Sequence, residues 1–133
     1  MDNEKQKSII AIDDNVTQLK IFEQFLKTKY ELTLVKSASE ATKVLGTREF
    51  DLILLDIEMP DVSGFEFLHE IRKIPKCMFK PVIIITSHSE PELLAHAKNS
   101  SAAGVLVKPV KIEELSKAIE EAFAKPKTLP FDL

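Results

Sequence analysis

The stretch Leu52-Ile53-Leu54-Leu55-Asp56-Ile57-Glu58-Met59-Pro60 joins an unbroken apolar run to a carboxylate. Four consecutive aliphatic residues without polar alternation are typical of a strand buried on both faces of a parallel sheet. Similar runs, Ile9–Ile12 and Val82–Thr86, lie before and after it along the chain, and the first is also followed by a carboxylate, Asp13. This repetition predicts a parallel sheet with polar groups gathered at one edge.

Short apolar runs alternate with amphipathic segments along the chain. The runs predict five strands, and the segments, whose apolar residues recur every three to four positions, predict five helices. Such alternation implies right-handed crossovers and an open (βα)5 sheet covered on both faces. For the fourth helix, Ser89 and Glu92 predict a capping box, with Pro91 in the first turn. The predicted strands are Ile9–Ile12, Leu32–Val35, Leu52–Leu55, Val82–Thr86 and Val105–Val107, and the predicted helices are Asn15–Lys29, Ser39–Arg48, Ser63–Lys73, a segment from about Ser89, and Lys111–Ala124.

The composition is that of one ordinary globular domain. The chain has 133 residues, 44% hydrophobic and 29% charged, and this length buries a core without a metal or disulfide. The net charge of −3 argues against a sequence-independent grip on nucleic acid. The single cysteine, Cys77, has no intrachain partner for a disulfide. The polar N-terminal segment Met1–Lys7 lacks the apolar region of a signal peptide. No apolar run approaches the roughly 20 residues that a membrane span needs. We therefore expect a cytoplasmic protein.

Residues 1–124 are predicted to form the domain. The remaining segment, Lys125–Leu133, carries Pro126 and Pro130 and shows no helical period. This pattern predicts either a frayed terminus or the start of a linker.

Polar residues follow the predicted strands at the edge where open α/β sheets bind ligands. Taken alone, each has an ordinary structural explanation, such as a helix N-cap or a turn. Their placement at the same end of successive strands favours a shared site instead. The set consists of Asp13 and Asp14 after the first strand, Asp56 after the third, Thr86 and Ser87 at the fourth, and Lys108 after the fifth.

Three carboxylates in one cleft repel one another unless a cation lies among them. Oxygen ligands without His or Cys suit Mg²⁺ better than Zn²⁺. A lysine and a hydroxyl beside such an ion are placed to hold phosphoryl oxygens, and an aspartate can act as the nucleophile. The set therefore predicts phosphoryl transfer through positioning and charge neutralisation.

Four segments of the sequence resemble the receiver domain of two-component response regulators. Their order and spacing also agree, and the resemblance covers about Lys7 to Ala124, which makes it far more specific than one short motif. It implies a three-layer, doubly wound flavodoxin-like fold with a five-stranded parallel sheet of order 2-1-3-4-5, and a function in phosphorelay signal transduction. The segments are Ile12–Asn15, Leu54–Pro60, Ile85–Ser87 and Val107–Pro109.

The resemblance also implies roles at the acidic site. Asp56 would accept the phosphoryl group, and Lys108 would pair with it. Asp14, Asp56 and the main-chain carbonyl of Glu58 would bind Mg²⁺, or Mn²⁺ in its place, with Asp13 helping through water.

Further positions would act in switching. Thr86 would move its hydroxyl toward the phosphoryl group on activation, and the amide of Ser87 would donate to the same group. The bond before Pro109 is expected to be cis, and Gly64 would permit the bend into the third helix. Val105 departs from the family pattern, which has an aromatic residue there, so activation is expected to pass through backbone shifts of the segment 86–98.

Two positions are expected to tune the lifetime of the phosphoryl group. Glu58 is the second residue after the phosphoacceptor, and His88 is the second after Thr86. Glu58 would order water or repel the phosphoryl group, while His88 would shield the site or protonate near pH 6.5. The direction of the net effect stays open.

The resemblance implies partners rather than a turned-over substrate. The phosphodonor would be a sensor histidine kinase or a histidine phosphotransfer protein. A downstream protein would read the surface of the fourth helix, fifth strand and fifth helix, without direct contact to nucleic acid or membrane. Phosphorylation-dependent homodimerisation stays open, and the chain is expected to be a signalling phosphoacceptor and not an enzyme.

Two other functions remain alternatives. The first is a small Mg²⁺-dependent phosphohydrolase that passes through an aspartyl phosphate. Glu58 occupies the place of its general acid, but the cap segment and the later Asp-rich motif of such enzymes are missing from the sequence. The second is a docking domain that works without phosphorylation, which the intact acidic site disfavours.

Overall fold

The structure, a computed structural model, describes residues 6–60 and 62–125, so most of the predicted tail lies outside it. In this part of the chain the five strands of the main sheet alternate with five α-helices, none of which is long and apolar enough to cross a membrane. The strands are β1 (Ser8–Ile12), β2 (Glu31–Val35), β3 (Leu52–Asp56), β4 (Val82–Thr86) and β5 (Gly104–Val107), and the helices are α1 (Val16–Leu26), α2 (Ala38–Thr47), α3 (Gly64–Ile71), α4 (Pro91–Lys98) and α5 (Ile112–Ala124).

The strands form one parallel sheet of order β2-β1-β3-β4-β5. The predicted order 2-1-3-4-5 is therefore confirmed. Asp56 lies opposite Ile85, and Thr86 lies opposite Val107. Strands β3, β4 and β5 consequently end at nearly the same level, which brings the residues that follow them together.

Helices cover both faces of the sheet, which gives three layers. One face packs on α1 and α5 through residues such as Phe22 and Leu115. The other packs on α2, α3 and α4 through residues such as Leu45, Phe67 and Ala97. Because every residue of β3 and β4 is buried, these strands are apolar up to their last residue, as the sequence pattern predicted.

Several helix ends differ from the prediction. Helix α1 ends at Leu26 instead of Lys29, helix α3 ends at Ile71 instead of Lys73, and both ends of α2 lie one residue earlier than predicted. The capping box predicted for α4 is wrong, because the N-cap is Glu90 and its side chain makes no capping hydrogen bond. Pro91 explains this difference: the residue before a proline is driven to extended backbone, and Glu90 has φ −60° and ψ 136°. The helix therefore begins at Pro91, one residue later than a cap at Ser89 requires.

A short antiparallel ribbon follows β3, which the sequence pattern did not predict. In it Glu58–Met59 pairs with Val62–Ser63, and the amide of Gly64 donates to the carbonyl of Ile57 (3.3 Å). A Cβ atom on Gly64 would lie 2.2 Å from the Cα of Ile57, although the backbone of Gly64 has no positive φ. The glycine is thus needed for close approach, and not for the conformational freedom of a bend as expected.

Candidate functional site

The carboxyl edge of the sheet gathers the residues predicted at the strand ends. Asp56 closes β3, while Asp13 and Lys108 directly follow β1 and β5. Helix α1 is capped by Asn15, whose side chain accepts a hydrogen bond from the Gln18 amide (3.1 Å). The aspartates before it therefore do not cap the helix and are available to the site.

Asp13, Asp14 and Asp56 form an acidic cluster. Each offers a carboxylate oxygen, and these oxygens lie within 4.8 Å of one another; Asp13 and Asp56 are buried, whereas Asp14 is exposed. The Lys108 Nζ atom lies 3.3 Å from Asp13 Oδ2 and 3.6 Å from Asp56 Oδ2. One ammonium against three carboxylates leaves the cluster acidic, which favours a bound cation.

Main-chain amides orient the two buried carboxylates. The Asn15 amide donates to Asp13 Oδ1 (2.9 Å), and the Glu58 amide donates to Asp56 Oδ1 (3.0 Å). Asp13 Oδ2 is buried and accepts no well-aligned hydrogen bond from the described residues, even with the lysine ammonium nearby. Buried polar atoms in folded proteins nearly always have a hydrogen-bond partner or a bound ion, so this oxygen is expected to have a further partner. Carboxylate oxygens of this kind fit Mg²⁺, which takes one or two carboxylates and retains several waters.

The pKa of Asp56 is raised to about 6, chiefly by burial. The charge of Asp13 contributes to this rise, whereas the hydrogen bond from the Glu58 amide and the charge of Lys108 oppose it. The ionised carboxylate is therefore costly in the ion-free protein, and a cation in the cluster would reduce that cost.

The carboxylate of Glu58 accepts hydrogen bonds from the end of β4. The Thr86 hydroxyl donates to Oε2 (2.8 Å), the Ser87 amide donates to Oε1 (3.1 Å) and Oε2 (3.2 Å), and the Ser87 hydroxyl donates to Oε1 (2.6 Å). Partial burial raises the pKa of Glu58, but these hydrogen bonds outweigh it and hold the pKa below its ordinary value. The sequence pattern singled out all three residues and missed this contact, for which the only signal was a carboxylate two positions after Asp56.

The half-exposed ring of His88 lies between two carboxylates. Its Nε2 atom is 3.1 Å from Glu58 Oε2, and its Nδ1 atom is 3.3 Å from Glu90 Oε1. A neutral imidazole has one N–H group and donates to one of them, whereas an imidazolium donates to both. His88 thus belongs to the same hydrogen-bonded group as Glu58.

The chain after β5 is tied to β4. The Lys108 amide donates to the carbonyl of Thr86 (2.7 Å), and the bond between Lys108 and Pro109 is cis. Val105 lies opposite Ile84 in the sheet and packs, partly buried, on the side of α2, α3 and α4. The hydrogen bond from the Lys108 amide fixes the main chain of the lysine relative to the end of β4.

The sequence and the fold both match known proteins. The response regulator receiver domain family matches residues 9–120. Two-component response regulator ARR12 of Arabidopsis thaliana is 36% identical over 110 residues, which cover 80% of this chain and 18% of ARR12. Chemotaxis response regulator CheY4 of Vibrio cholerae superposes with a TM-score of 0.82 at 28% identity, covering 89% of this chain and 99% of that one.

A further solved structure is the receiver domain of sensor histidine kinase PA1611 from Pseudomonas aeruginosa, described with a magnesium ion coordinated in its active-site cleft. It superposes with a TM-score of 0.82 at 23% identity, covering 91% of this chain and all of that one. At this identity the likeness shows the fold alone.

This chain belongs to the response regulator receiver domain family. Its relatives include proteins named as response regulators, such as ARR12 and CheY4, and membership of this family is consistent with phosphorelay signalling. The acidic cluster of three aspartates fits aspartyl phosphate chemistry and a Mg²⁺ ion. The chain spans about a fifth of the length of ARR12 but nearly all of CheY4.

Proposed function

We propose that this chain accepts a phosphoryl group on Asp56 from a phosphohistidine of a sensor histidine kinase or a histidine phosphotransfer protein. The observation that carries the proposal is the buried Asp56 carboxylate, which lies with two further aspartates and Lys108 at one edge of the sheet. Phosphoryl transfer depends on positioning and on neutralising charge, and this arrangement supplies both.

The acidic cluster is the proposed Mg²⁺ site, and Mn²⁺ is the proposed substitute. Asp14, Asp56 and the main-chain carbonyl of Glu58 are assigned as ligands, with Asp13 acting through water. The donor set of hard oxygens supports the assignment, as does Asp13 Oδ2, which has an ion pair with Lys108 but accepts no hydrogen bond from the described residues. When bound, the ion supplies positive charge that offsets the carboxylates and the phosphoryl oxygens.

In the transfer step a carboxylate oxygen of Asp56 attacks the phosphorus of the phosphohistidine. The new O–P bond forms as the P–N bond breaks, and the imidazole leaves with the electron pair and takes up a proton. The Lys108 ammonium, already 3.6 Å from Asp56 Oδ2, pairs with a phosphoryl oxygen. No other covalent bond of the donor protein changes.

The phosphorylated state is then read by a partner protein. The Thr86 hydroxyl and the Ser87 amide turn to the phosphoryl oxygens, and the surface of α4, β5 and α5 changes with them. Because Val105 stands where the family has an aromatic residue, the change travels through the backbone of residues 86–98. Glu58 and His88 set the lifetime of the phosphoryl group.

The wider setting is proposed from the family. Residues 1–124 form the receiver domain and residues 125–133 a tail or the start of a linker. The chain works in the cytoplasm and contacts neither nucleic acid nor membrane directly, and phosphorylation-dependent homodimerisation stays open. It is a phosphoacceptor and not an enzyme: a phosphohydrolase needs a protonated Glu58, whereas the hydrogen bonds from Thr86 and Ser87 favour the ionised form.

Intact mass spectrometry tests the proposal. Wild-type protein and Asp56→Asn are incubated with acetyl phosphate, with and without Mg²⁺. One phosphoryl adduct is expected in the wild type, only with Mg²⁺, and none in the variant. An adduct that persists in Asp56→Asn shows that another residue is the acceptor. If folded wild type binds Mg²⁺ but forms no adduct, either acetyl phosphate cannot replace a protein donor or Asp56 is not an acceptor.

A further inference from the structure

The single O–H donor of Thr86 is already in use. The hydroxyl donates to Glu58 Oε2 (2.8 Å) and accepts from the His88 amide (3.0 Å). The amide and the hydroxyl of Ser87 both donate to the same Glu58 carboxylate. The groups proposed above to meet the phosphoryl oxygens are therefore already paired with an anion.

A carboxylate and a phosphoryl group offer these donors the same chemistry, which is anionic oxygen. Thr86 has one O–H group and Ser87 has one backbone N–H group, so a phosphoryl group cannot gain these donors while Glu58 keeps them. From this conflict we infer that Glu58 is an internal competitor of the phosphoryl group, which holds Thr86 and Ser87 in the unphosphorylated arrangement until it is displaced. This inference deepens the proposed function and rests on it.

The contact is built so that it can open. The Glu58 main chain is held by the hydrogen bond that its amide donates to Asp56 Oδ1 (3.0 Å) and by pairing with Ser63 in the ribbon. The side chain is one quarter exposed, so it reaches water by rotation without moving the main-chain carbonyl assigned to Mg²⁺. Opening therefore frees Thr86 and Ser87 and leaves the metal site in place.

The size of the effect follows from the fraction of molecules in which the contact is made. If it is made in about nine of ten molecules, about one tenth are competent, and the apparent affinity for a phosphoryl group or its mimic falls about tenfold. This effect acts before phosphorylation, and is separate from the lifetime of the phosphoryl group afterwards.

Beryllofluoride, an anionic mimic of a phosphoryl group bound to a carboxylate, provides the probe. It is titrated in the presence of Mg²⁺ into wild type, Glu58→Ala, Glu58→Gln and the control Glu90→Gln. Glu90 is a neighbouring carboxylate that contacts the His88 ring, so the control removes the same charge nearby but leaves Thr86 and Ser87 bound to Glu58. We expect Glu58→Ala to bind about tenfold more tightly, Glu58→Gln to lie between it and wild type, and Glu90→Gln to match wild type within about twofold.

The Ser87 amide signal in ¹⁵N NMR gives a second readout without any ligand. It is expected to shift in Glu58→Ala and to stay in place in Glu90→Gln, because only the first change removes its acceptor. Equal or weaker beryllofluoride binding by Glu58→Ala, or an unmoved Ser87 signal, overturns the inference while the proposed function stands. Failure of all four proteins to bind beryllofluoride with Mg²⁺ counts against the proposed function itself, and the competitor role falls with it.

Discussion

Replacing Asp56 by Asn should stabilise the ion-free protein. The buried carboxylate faces Asp13, and one lysine ammonium is shared between the two. In the folded protein the pKa of Asp56 is raised to about 6 from the ordinary 3.8, chiefly by burial. An amide has no charge to bury and still accepts the hydrogen bond from the Glu58 amide.

The magnitude depends on pH in a defined direction. Below pH 3.8 Asp56 is neutral in both the folded and the unfolded chain, so its ionisation costs nothing. The cost grows between pH 3.8 and about 6, because the unfolded chain loses the proton first, and it is complete above that range. At about 1.4 kcal/mol per pKa unit it reaches roughly 3 kcal/mol at pH 8 and about 1 kcal/mol at pH 4.5.

Urea unfolding in the presence of a chelator measures this difference. Asp56→Asn should exceed wild type in free energy of unfolding by about 2–3 kcal/mol at pH 8 and by about 1 kcal/mol at pH 4.5. The control Glu23→Gln makes the same chemical change on the exposed face of α1 and should stay within about 0.5 kcal/mol of wild type. A gap that does not change with pH, or a variant less stable than wild type at pH 8, would refute the reasoning.

Adding Mg²⁺ should narrow the gap. An ion that binds only the folded protein stabilises it by about 1.4 kcal/mol at a free concentration ten times its Kd. Wild type offers the full acidic cluster, whereas Asp56→Asn lacks one of its two buried carboxylates. Equal stabilisation of both proteins by Mg²⁺ would show that Asp56 is not a ligand.

Four further substitutions have defined outcomes. Gly64→Ala places a Cβ atom 2.2 Å from the Ile57 Cα and should lower the free energy of unfolding by about 1–3 kcal/mol. Gly46→Ala adds a Cβ atom in α2 with no other atom within 4 Å and should raise the free energy of unfolding by about 0.5–1 kcal/mol. Thermal unfolding compares the two variants with wild type. Arg72→Met removes guanidinium hydrogen bonds to Cys77, Lys80 and Ser101 and should cost about 2–3 kcal/mol in urea unfolding. Lys108→Met should slow adduct formation with acetyl phosphate on the order of 10²-fold, measured by mass against time, while Mg²⁺ still binds.

The sheet was predictable from the sequence because its strands are buried. Leu52–Leu55 and Val82–Thr86 are apolar where a strand packed on both faces must be, and the observed strands extend the predictions by at most one residue. Helix α5 shows the same for helices, since its buried Leu115 and Ile119 predicted both the helix and its last residue, Ala124. Helix starts depend on single local contacts, and Pro91 overrode the capping signal of Ser89.

The members of the site were also predictable, but the bonds among them were not. Parallel strands ending at one level bring Asp13, Asp56, Thr86 and Lys108 together. The hydrogen bond from Thr86 to Glu58 joins residues 28 positions apart and depends on a side-chain rotamer and on the turn after β3. The spacing of apolar residues predicts neither the rotamer nor the turn. The same turn brings Gly64 close to Ile57, which is why a glycine is needed there.

The central claim is that Asp56 carries the phosphoryl group, and mapping the modified residue tests it most directly. Protein treated with acetyl phosphate and Mg²⁺ is reduced with borohydride, which converts an aspartyl phosphate to homoserine, and is then digested for peptide mass spectrometry. Homoserine is expected at position 56 and at no other aspartate. Homoserine at position 13 or 14, with position 56 unmodified, would contradict the assignment of Asp56 as phosphoacceptor.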